Sequence, residues 1–228
     1  MLRLFCGYDP REALGFSAFV HSVILNSPKN IAVVPIHGSR RDGTTDFTYS
    51  RFMVPYLCGY KGWAVFADGS DMMLRTDLNS ILAHCDESKA VYVVKHDYQT
   101  TNNRKYLGTE MEAANEDYPR KNWSSLIVWN CSHQNHKYLT PNMISATRGR
   151  WLHNFSWLTD ELVGSLPLEW NHLVREYEPN PDAKLVHFTL GIPGFAEYSK
   201  DEFSDEWRSY LNGVRNGSVI DEQAKIAA

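Results

Sequence analysis

The sequence predicts one α/β domain in which helices flank a mostly parallel central sheet, and three observations support this prediction. Short apolar segments alternate with segments that have the apolar spacing of an amphipathic helix. The chain begins with a strand, a helix and a second strand, and this order makes a parallel pair of strands with a right-handed crossover. The composition is that of an ordinary globular protein, because 43% of the 228 residues are hydrophobic and 22% are charged.

The first strand, helix and strand are specified by local signals. Residues 2–7 are a short apolar run that predicts the first strand. The segment 9–12 marks a helix start, with Asp as N-cap, Pro in the first helical position and Glu in the third. The helix is expected to stop at the Asn-Ser-Pro of residues 26–28, and residues 31–36 are predicted to form the second strand.

The later elements follow the same alternation, although the second half of the chain is more irregular and richer in aromatic residues. They are predicted in this order: helix 49–57, strand 63–67, helix 77–83, strand 90–95, strand 126–129, helix 159–166, strand 185–189 and a C-terminal helical region from 199 to about 213.

Charge and hydropathy exclude several classes of protein. The formal net charge is −4, so the chain has no basic surplus to bind a phosphate backbone, and nucleic acid is not expected as a partner. The apolar run 1–6 is too short for a signal peptide, and no stretch is long enough to span a membrane. The four cysteines are widely spaced and suit a reducing compartment. A cytoplasmic location is therefore the expectation.

Two carboxylates follow the buried strand 63–67. Asp68 and Asp71 are separated only by Gly-Ser. Such a pair at a strand end suits a hard divalent cation, because carboxylate oxygens hold one side of the ion and phosphate oxygens of a ligand can fill the other. The alternative is a turn in which both Asp side chains cap backbone groups.

Two other polar segments are expected at the same edge of the sheet, because open parallel sheets bind ligands at the carboxyl ends of their strands. One is Gly7-Tyr8-Asp9, which follows the first strand and opens a helix whose N-terminus favours anions. The other follows His187, at the end of a late strand. Taken alone, a histidine such as His187 is more often structural than a ligand, and the helix cap is by itself a sufficient role for Asp9.

The segment 48–56, the Asp pair after it and the Asp-Leu at 77–78 together resemble glycosyltransferase family 8. The resemblance implies a GT-A type, Rossmann-like fold and makes Asp71 the second metal-binding Asp of the family's Asp-x-Asp motif. Asp68 falls one residue early, and a one-residue bulge would restore it to the site. In the family an arginine of the helix in this segment reaches the donor, which makes Arg51 a candidate contact; a surface salt bridge is the alternative.

Four further segments match the family in the same order along the chain, and they are 123–130, 157–162, 168–171 and 185–193. By this resemblance, Asn130 and Asp160 orient the donor sugar. His187 is the third metal ligand, and Gly191 lies in the loop that wraps the pyrophosphate.

Two departures from the family accompany these matches. Glu161 stands where the family usually has Gln. By resemblance it faces the anomeric centre, where it could stabilise an oxocarbenium-like transition state or attack as a nucleophile. The alternative is that Glu161 points to solvent and Asp160 alone faces the sugar. The family's phosphate-binding lysine is missing before Pro193, so another cation must replace it or the metal alone must balance the diphosphate.

These residues predict a glycosyltransferase that moves a hexose from a UDP-sugar to an acceptor hydroxyl, with retention of configuration implied by the resemblance. Asp71, His187 and Asp68 would hold Mn²⁺ or Mg²⁺, which acts as a Lewis acid on the leaving diphosphate. Tyr8 would stack on the uridine, and Asp9 would make a polar contact with it. The acceptor is not identified by any motif.

Two alternative functions remain at this level. A nucleotidyltransferase also uses carboxylates and a metal at strand ends, but the loop after the first strand lacks the Lys or Arg expected of one. A non-catalytic nucleotide-sugar-binding protein is the other alternative. In each case we expect a single domain over 1–228, with the nucleotide-binding part in roughly 1–100 and the sugar and acceptor part in roughly 101–228.

Overall fold

The structure is a computed structural model that describes residues 1–27, 31–38, 45 and 47–216. Within these residues the strands are β1 (Leu2–Gly7), β2 (Ile31–Ile36), β3 (Trp63–Ala67), β4 (Met72–Leu74), β5 (Val91–Val93), β6 (Arg104–Lys105), β7 (Ala113–Ala114), β8 (Leu126–Asn130), β9 (Val163–Ser165), β10 (His172–Leu173) and β11 (Leu185–His187). The α-helices are α1 (Ala13–Asn26), α2 (Val54–Leu57), α3 (Pro141–Ala146), α4 (Gly149–His153) and α5 (Ser204–Asn216).

A six-stranded sheet forms the centre of the molecule, in the order β2-β1-β3-β8-β5-β9. Strand β1 is parallel to β2 and β3, and β5 is parallel to β9. Strand β8 is antiparallel to both of its neighbours, so it is the one strand of this sheet that runs in the opposite direction. The prediction of a mostly parallel central sheet is therefore confirmed.

Both faces of this sheet are covered, which explains why its strands are continuous apolar runs rather than alternating ones. Successive side chains of β1 enter opposite cores, since Leu4 and Cys6 belong to one apolar cluster and Phe5 to another. Helix α1 covers the first face with Phe19 and Val23. The second face packs against α2, α3, α4 and the aromatic second half of the chain. No helix in the described part of the chain is long and apolar enough to cross a membrane.

The start of the chain forms as predicted. Strands β1 and β2 have the predicted bounds. Asp9 caps a short 3-10 turn, Pro10–Glu12, by accepting a hydrogen bond from the Arg11 amide, and α1 continues from this turn to Asn26. Pro28, which was expected to help end the helix, lies outside the described residues.

A second, three-stranded sheet was not predicted, and it determines where His187 lies. Its order is β10-β11-β4. Strand β4 begins directly after Asp71 and pairs antiparallel with β11, so that His187 lies opposite Met72. The amide of Phe188 also donates to the Asp71 carbonyl at 2.8 Å. This pairing brings two residues that are far apart in sequence to neighbouring backbone positions.

Four predicted helices differ from the observed elements, and the one predicted at 77–83 forms as the 3-10 helix Leu78–His84. The predicted helix 159–166 is wrong, because only the 3-10 turn Asp160–Leu162 forms before β9 pairs with β5. A Cβ at Gly164 would overlap the Tyr92 ring, so β9 needs its glycine for this pairing. The helix predicted at 49–57 is divided into the 3-10 turn Ser50–Met53 and α2, and the C-terminal α-helix begins at 204 instead of 199.

Candidate functional site

The turn between Asp68 and Asp71 holds an extra residue without separating the two carboxylates. The Ser70 amide donates to the Asp68 carbonyl at 2.7 Å, and Gly69 between them has a φ of 72°. This three-residue turn requires positive φ at its centre, which glycine adopts without strain. The turn also packs closely on β1, since a Cβ at Gly69 would lie 2.9 Å from the Gly7 carbonyl oxygen. This turn takes up the extra residue of the Asp-x-x-Asp spacing.

Asp68, Asp71 and His187 form one cluster. Each offers a ligand atom, and these atoms lie within 4.8 Å of one another. His187 Nε2 is 3.3 Å from Asp71 Oδ2. Asp71 and His187 are buried, at 6% and 1% exposure. The three residues that were predicted to share a metal ion are thus brought together, Asp68 included.

A chain of hydrogen bonds determines which nitrogen of His187 carries the proton. Ser125 Oγ donates to the Asn122 carbonyl at 2.7 Å, so it accepts from Asn171 Nδ2 at 2.9 Å. The Asn171 amide then presents its oxygen to His187 Nδ1, 3.1 Å away. The Nδ1 hydrogen is therefore directed at Asn171, and Nε2 is directed at the Asp71 carboxylate. With the imidazole neutral, a cation between Nε2 and this carboxylate would bind to both.

Arg51 is buried beside the cluster rather than on the surface. Its Nη1 lies 2.7 Å from Asp68 Oδ1 and donates to the Ser124 carbonyl at 2.8 Å. The guanidinium also lies over the rings of Phe47 and Phe66, at 5.4 and 5.0 Å from their centroids. Burial raises the pKa of Asp68 to about 6, and the Arg51 charge opposes this rise. Arg51 therefore supplies the positive charge that keeps Asp68 ionisable.

Glu12 adds a third buried carboxyl group close to the cluster. It was expected to cap the helix, but it makes no capping hydrogen bond, and neither of its oxygens has a hydrogen-bond partner among the described residues. Burial raises its pKa well above the ordinary value, and the neighbouring charges of Asp71, Asp9 and Asp68 raise it further. Burial and the neighbouring carboxylates therefore disfavour the ionised form of Glu12.

The cluster fits a divalent cation. Asp71 Oδ1 is buried and has no hydrogen-bond partner in the described structure. A buried carboxylate oxygen without a partner carries a large desolvation cost, which coordination of an ion removes. Two carboxylates and one neutral imidazole nitrogen are donors that Mn²⁺ and Mg²⁺ accept.

A polar cavity opens in front of the cluster. Its walls come from the segment before α2, the β6–β7 hairpin with the loop after it, the start of β8, and α4. Besides the cluster, its lining includes Thr45, Thr48, Arg51, Lys105, Tyr106, Asn115, Glu116, Tyr118, Lys121, Asn122, Ser124, Ser125, Arg150, His153 and Thr189.

Several of these lining residues were missed from the sequence. Ser124 and Ser125 lie in a segment that resembles the family, but the residue predicted from that segment was Asn130, at the other end of the strand. His153 had no sequence signal. Its Nδ1 is 2.6 Å from Ser124 Oγ, and burial lowers its pKa to about 3, so the ring is neutral. Lys105 lies in a polar stretch that the sequence did not connect to the site.

Asn130 is not near the cavity, contrary to expectation. Strand β8 is antiparallel to β3, and Asn130 pairs with Trp63 at the edge of the sheet opposite Asp68. Its side chain donates to the backbone carbonyls of Glu87 and Lys89, at 3.4 and 3.1 Å. Because β8 runs antiparallel to β3, the residues just before β8, Ser124 and Ser125, line the cavity, whereas its last residue does not.

Asp160 and Glu161 also lie outside the residues that line the cavity. The Asp160 side chain is 79% exposed and pairs with Arg120 Nη2 at 2.5 Å. Glu161 is exposed on the same 3-10 turn, and a hydrogen bond with Thr159 lowers its pKa. This geometry matches the alternative in which Glu161 points to solvent, and Asp160 does so as well.

Tyr8 and Asp9 occupy the end of β1 beside the Asp turn. The Tyr8 ring is half-buried and packs edge-on against Phe16, with 5.0 Å between centroids. Asp9 is fully buried and pairs with both Nε and Nη2 of Arg11, at 2.9 and 2.5 Å. The Asp9 amide also lies 3.3 Å from Ser70 Oγ. Asp9 is therefore a structural link as well as a helix cap.

Gly7 and Gly191 are glycines because the backbone passes close to aromatic rings. A Cβ at Gly7 would overlap the Phe47 ring, and one at Gly191 would overlap the Tyr198 ring. The Gly191 amide donates to the Phe188 carbonyl at 2.9 Å and so turns the chain back after β11. Both glycines keep the loops around the cluster tightly packed.

Solved structures share this fold. WbbM, a bifunctional glycosyltransferase, superposes with a TM-score of 0.65 and 17% identity over 92% of this chain, which spans about half (49%) of the WbbM chain. The galactosyltransferase LgtC, solved with donor and acceptor sugar analogues, gives a TM-score of 0.59 and 11% identity over 99% of each chain. GlyE of Streptococcus pneumoniae gives 0.60 and 10% identity over 92% of this chain and 61% of its own. The chain therefore has the GT-A fold.

Sequence comparison identifies a relative. No protein-family model matches the chain. The chain is, however, 37% identical over 222 residues to protein CDI of Arabidopsis thaliana, and the aligned part covers 90% of this chain and 84% of the relative. Identity at this level over nearly the whole of both chains shows common descent, and the chain belongs to the family of Arabidopsis protein CDI.

Proposed function

We propose that this protein is a divalent-metal-dependent glycosyltransferase that transfers a hexose from a UDP-sugar to an acceptor hydroxyl. The observation that carries the proposal is the cluster of Asp68, Asp71 and His187 at the carboxyl end of β3 in a GT-A fold. Two carboxylates and a histidine beside a polar cavity suit a nucleotide diphosphate ligand that also contacts a metal ion. The resemblance to family 8 and the glycosyltransferases that share the fold support the same reaction class.

In this proposal the cluster binds the metal ion, and two neighbouring residues hold the cluster in position. Asp71 and His187 hold Mn²⁺ or Mg²⁺ together with Asp68, and the ion supplies a Lewis acid for the departing diphosphate. Asn171 keeps the His187 proton on Nδ1, so that Nε2 stays free to bind the ion. Arg51 holds the Asp68 carboxylate in place and balances part of its charge.

The donor nucleoside is assigned to the loop after β1. Tyr8 stacks on the uracil ring, and Asp9 holds the loop in shape through Arg11 and the helix start. Retention of the donor's anomeric configuration follows from the resemblance to family 8. Asn130, Asp160 and Glu161 take no part in this assignment, because Asn130 lies at the opposite end of β3 from Asp68 and the other two side chains are exposed.

The base preference of the site tests the donor assignment. In a thermal unfolding assay with Mn²⁺, UDP at about 100 times its Kd stabilises the protein by about 2.7 kcal/mol, a rise in Tm of about 5 °C or more for a chain of this size. GDP and CMP at the same concentration give a smaller rise, and a chelator removes the UDP effect. A larger shift with GDP would overturn the uridine assignment while leaving the fold unaffected.

A further inference from the structure

The positively charged side chains that line the cavity differ in whether a carboxylate already balances them. Arg51 is paired within the cluster, and Lys121 Nζ lies 3.3 Å from Asp117. Arg150 is exposed at the rim. Lys105 is half-buried and lines the same cavity; its ammonium lies 5.4 Å from the centroid of the Tyr106 ring, and it forms no ion pair with a carboxylate of the described residues. Lys105 is therefore the inner cation that is free to bind a negatively charged ligand.

The backbone around Lys105 is fixed to the segment that follows β11. The Tyr106 amide donates to the Leu190 carbonyl at 2.6 Å, and the Leu107 amide donates to the Tyr198 hydroxyl at 2.9 Å. The β6–β7 pairing holds the other side of the hairpin. A lysine on a hairpin anchored in this way has a defined position, so binding a ligand costs little additional ordering.

Lys105 lies among charges of both signs. Burial lowers its pKa, the carboxylate of Asp71 opposes this decrease, Lys121 adds to it, and Asp68 and Glu12 oppose it. Two lysines that share a cavity repel each other, and a multivalent anion between them relieves this repulsion. The carboxylates next to them are the proposed metal ligands. An anion that contacts both the metal ion and Lys105 would be compatible with the carboxylates and with the lysine.

Residues 188–193, which follow β11, contain no positively charged side chain. The residue before Pro193 is Ile192, whose side chain is 2% exposed and packs in the apolar cluster with Phe188 and Trp207. We propose that Lys105 binds the donor's diphosphate and supplies, from the β6–β7 hairpin, the positive charge that this segment lacks. Identifying the anion as part of a nucleotide sugar rests on the proposed function.

This assignment has a chemical consequence. The diphosphate of a nucleotide sugar carries two negative charges, and a third develops as the bond to the sugar breaks. A lysine ammonium placed at the diphosphate contacts the leaving group and stabilises that third charge. The site would then neutralise the leaving group from two sides, with Asp68, Asp71 and His187 holding the ion on one side and Lys105 lying on the other.

Inorganic pyrophosphate is the probe that isolates this site from the nucleoside. We would titrate it by calorimetry into the Mn²⁺-loaded wild type and three variants, Lys105→Met, Lys105→Arg and Lys61→Met. Lys61 is exposed at the opposite end of β3 and serves as the matched control. Loss of one charge-assisted contact weakens pyrophosphate binding by about tenfold or more in Lys105→Met. Lys105→Arg recovers most of this loss, and Lys61→Met binds as the wild type does.

A second titration, with Mn²⁺ alone, separates a ligand contact from a structural role. Lys105→Met binds Mn²⁺ at least as tightly as the wild type, because a repelling positive charge has been removed. Weaker Mn²⁺ binding in this variant, or undiminished pyrophosphate binding, would overturn the Lys105 site. A wild type that binds no pyrophosphate with Mn²⁺ would overturn it too. If pyrophosphate binding depends on Lys105 but UDP binds no tighter than pyrophosphate, the result supports the anion site at Lys105 and contradicts the proposed nucleotide-sugar function.

Discussion

Asp71→Asn is expected to weaken Mn²⁺ binding at least about 100-fold, or about 2.7 kcal/mol, and to abolish Mn²⁺-dependent binding of UDP. Asp71 offers a carboxylate oxygen to the cluster, and its Oδ1 is buried without a hydrogen-bond partner in the described structure. The substitution removes the charge but keeps the size of the side chain. Calorimetric titration of Mn²⁺, followed by UDP in the presence of Mn²⁺, measures both effects.

The stability of the same variant distinguishes loss of a ligand from loss of the fold. Besides burial, the Asp71 charge raises the pKa of both Glu12 and Asp68 by like-charge repulsion. Removing the Asp71 charge relieves this repulsion, so Asp71→Asn unfolds without metal at no lower a urea concentration than the wild type. Asp182→Asn, at an exposed carboxylate, is the control and leaves both properties unchanged. Undiminished Mn²⁺ affinity in Asp71→Asn would remove this residue from the metal site.

Arg51→Met is expected to lower the free energy of unfolding by about 3 kcal/mol, the largest effect on stability that we predict for a single substitution. Breaking a buried ion pair from one side leaves the other charge uncompensated, which costs roughly 3–5 kcal/mol. We expect the lower end of this range, because the Asp68 side chain is 17% exposed. Urea denaturation with metal removed measures this change.

The double variant Arg51→Met/Asp68→Asn tests the cause of that loss. When both charges are gone, no uncompensated carboxylate remains, and most of the lost stability returns. Arg215→Met, at an exposed arginine near the end of α5, changes stability by less than about 0.5 kcal/mol. A double variant as unstable as Arg51→Met would show that the guanidinium acts through its carbonyl and ring contacts rather than through Asp68.

The parts of the fold that were predicted correctly are encoded by neighbouring residues. Strands β1, β2 and β3 have their predicted bounds because each is an apolar run that polar residues or glycine bring to an end. Asp68, Asp71 and His187 could be placed together because all three follow or end strands. The positive φ of Gly69 lets the Asp-x-x-Asp turn close, and the neighbouring residues alone do not predict this φ.

The parts that could not be predicted depend on contacts between distant segments. The direction of β8 is set by its pairing with β3 and β5, and it moves Asn130 to the wrong edge for a ligand. The helix expected at 159–166 gives way to β9, because pairing with β5 outweighs the local helical preference. Lys105 reaches the cavity only because its hairpin is bonded to the segment after β11, a contact with no sequence signature.

Cleavage of a UDP-hexose is the reaction that the proposed function requires. The purified protein would be incubated with a panel of UDP-hexoses and Mn²⁺, and the release of UDP would be followed over hours, since water can replace the unknown acceptor. We expect that at least one UDP-hexose is cleaved, that a chelator stops the reaction, and that Asp71→Asn cleaves none of them. If the protein binds Mn²⁺ and UDP but cleaves no UDP-hexose, it is a nucleotide-sugar-binding protein, and the catalytic assignment is contradicted. UDP release that continues at the same rate in the chelator would contradict the metal-dependent mechanism.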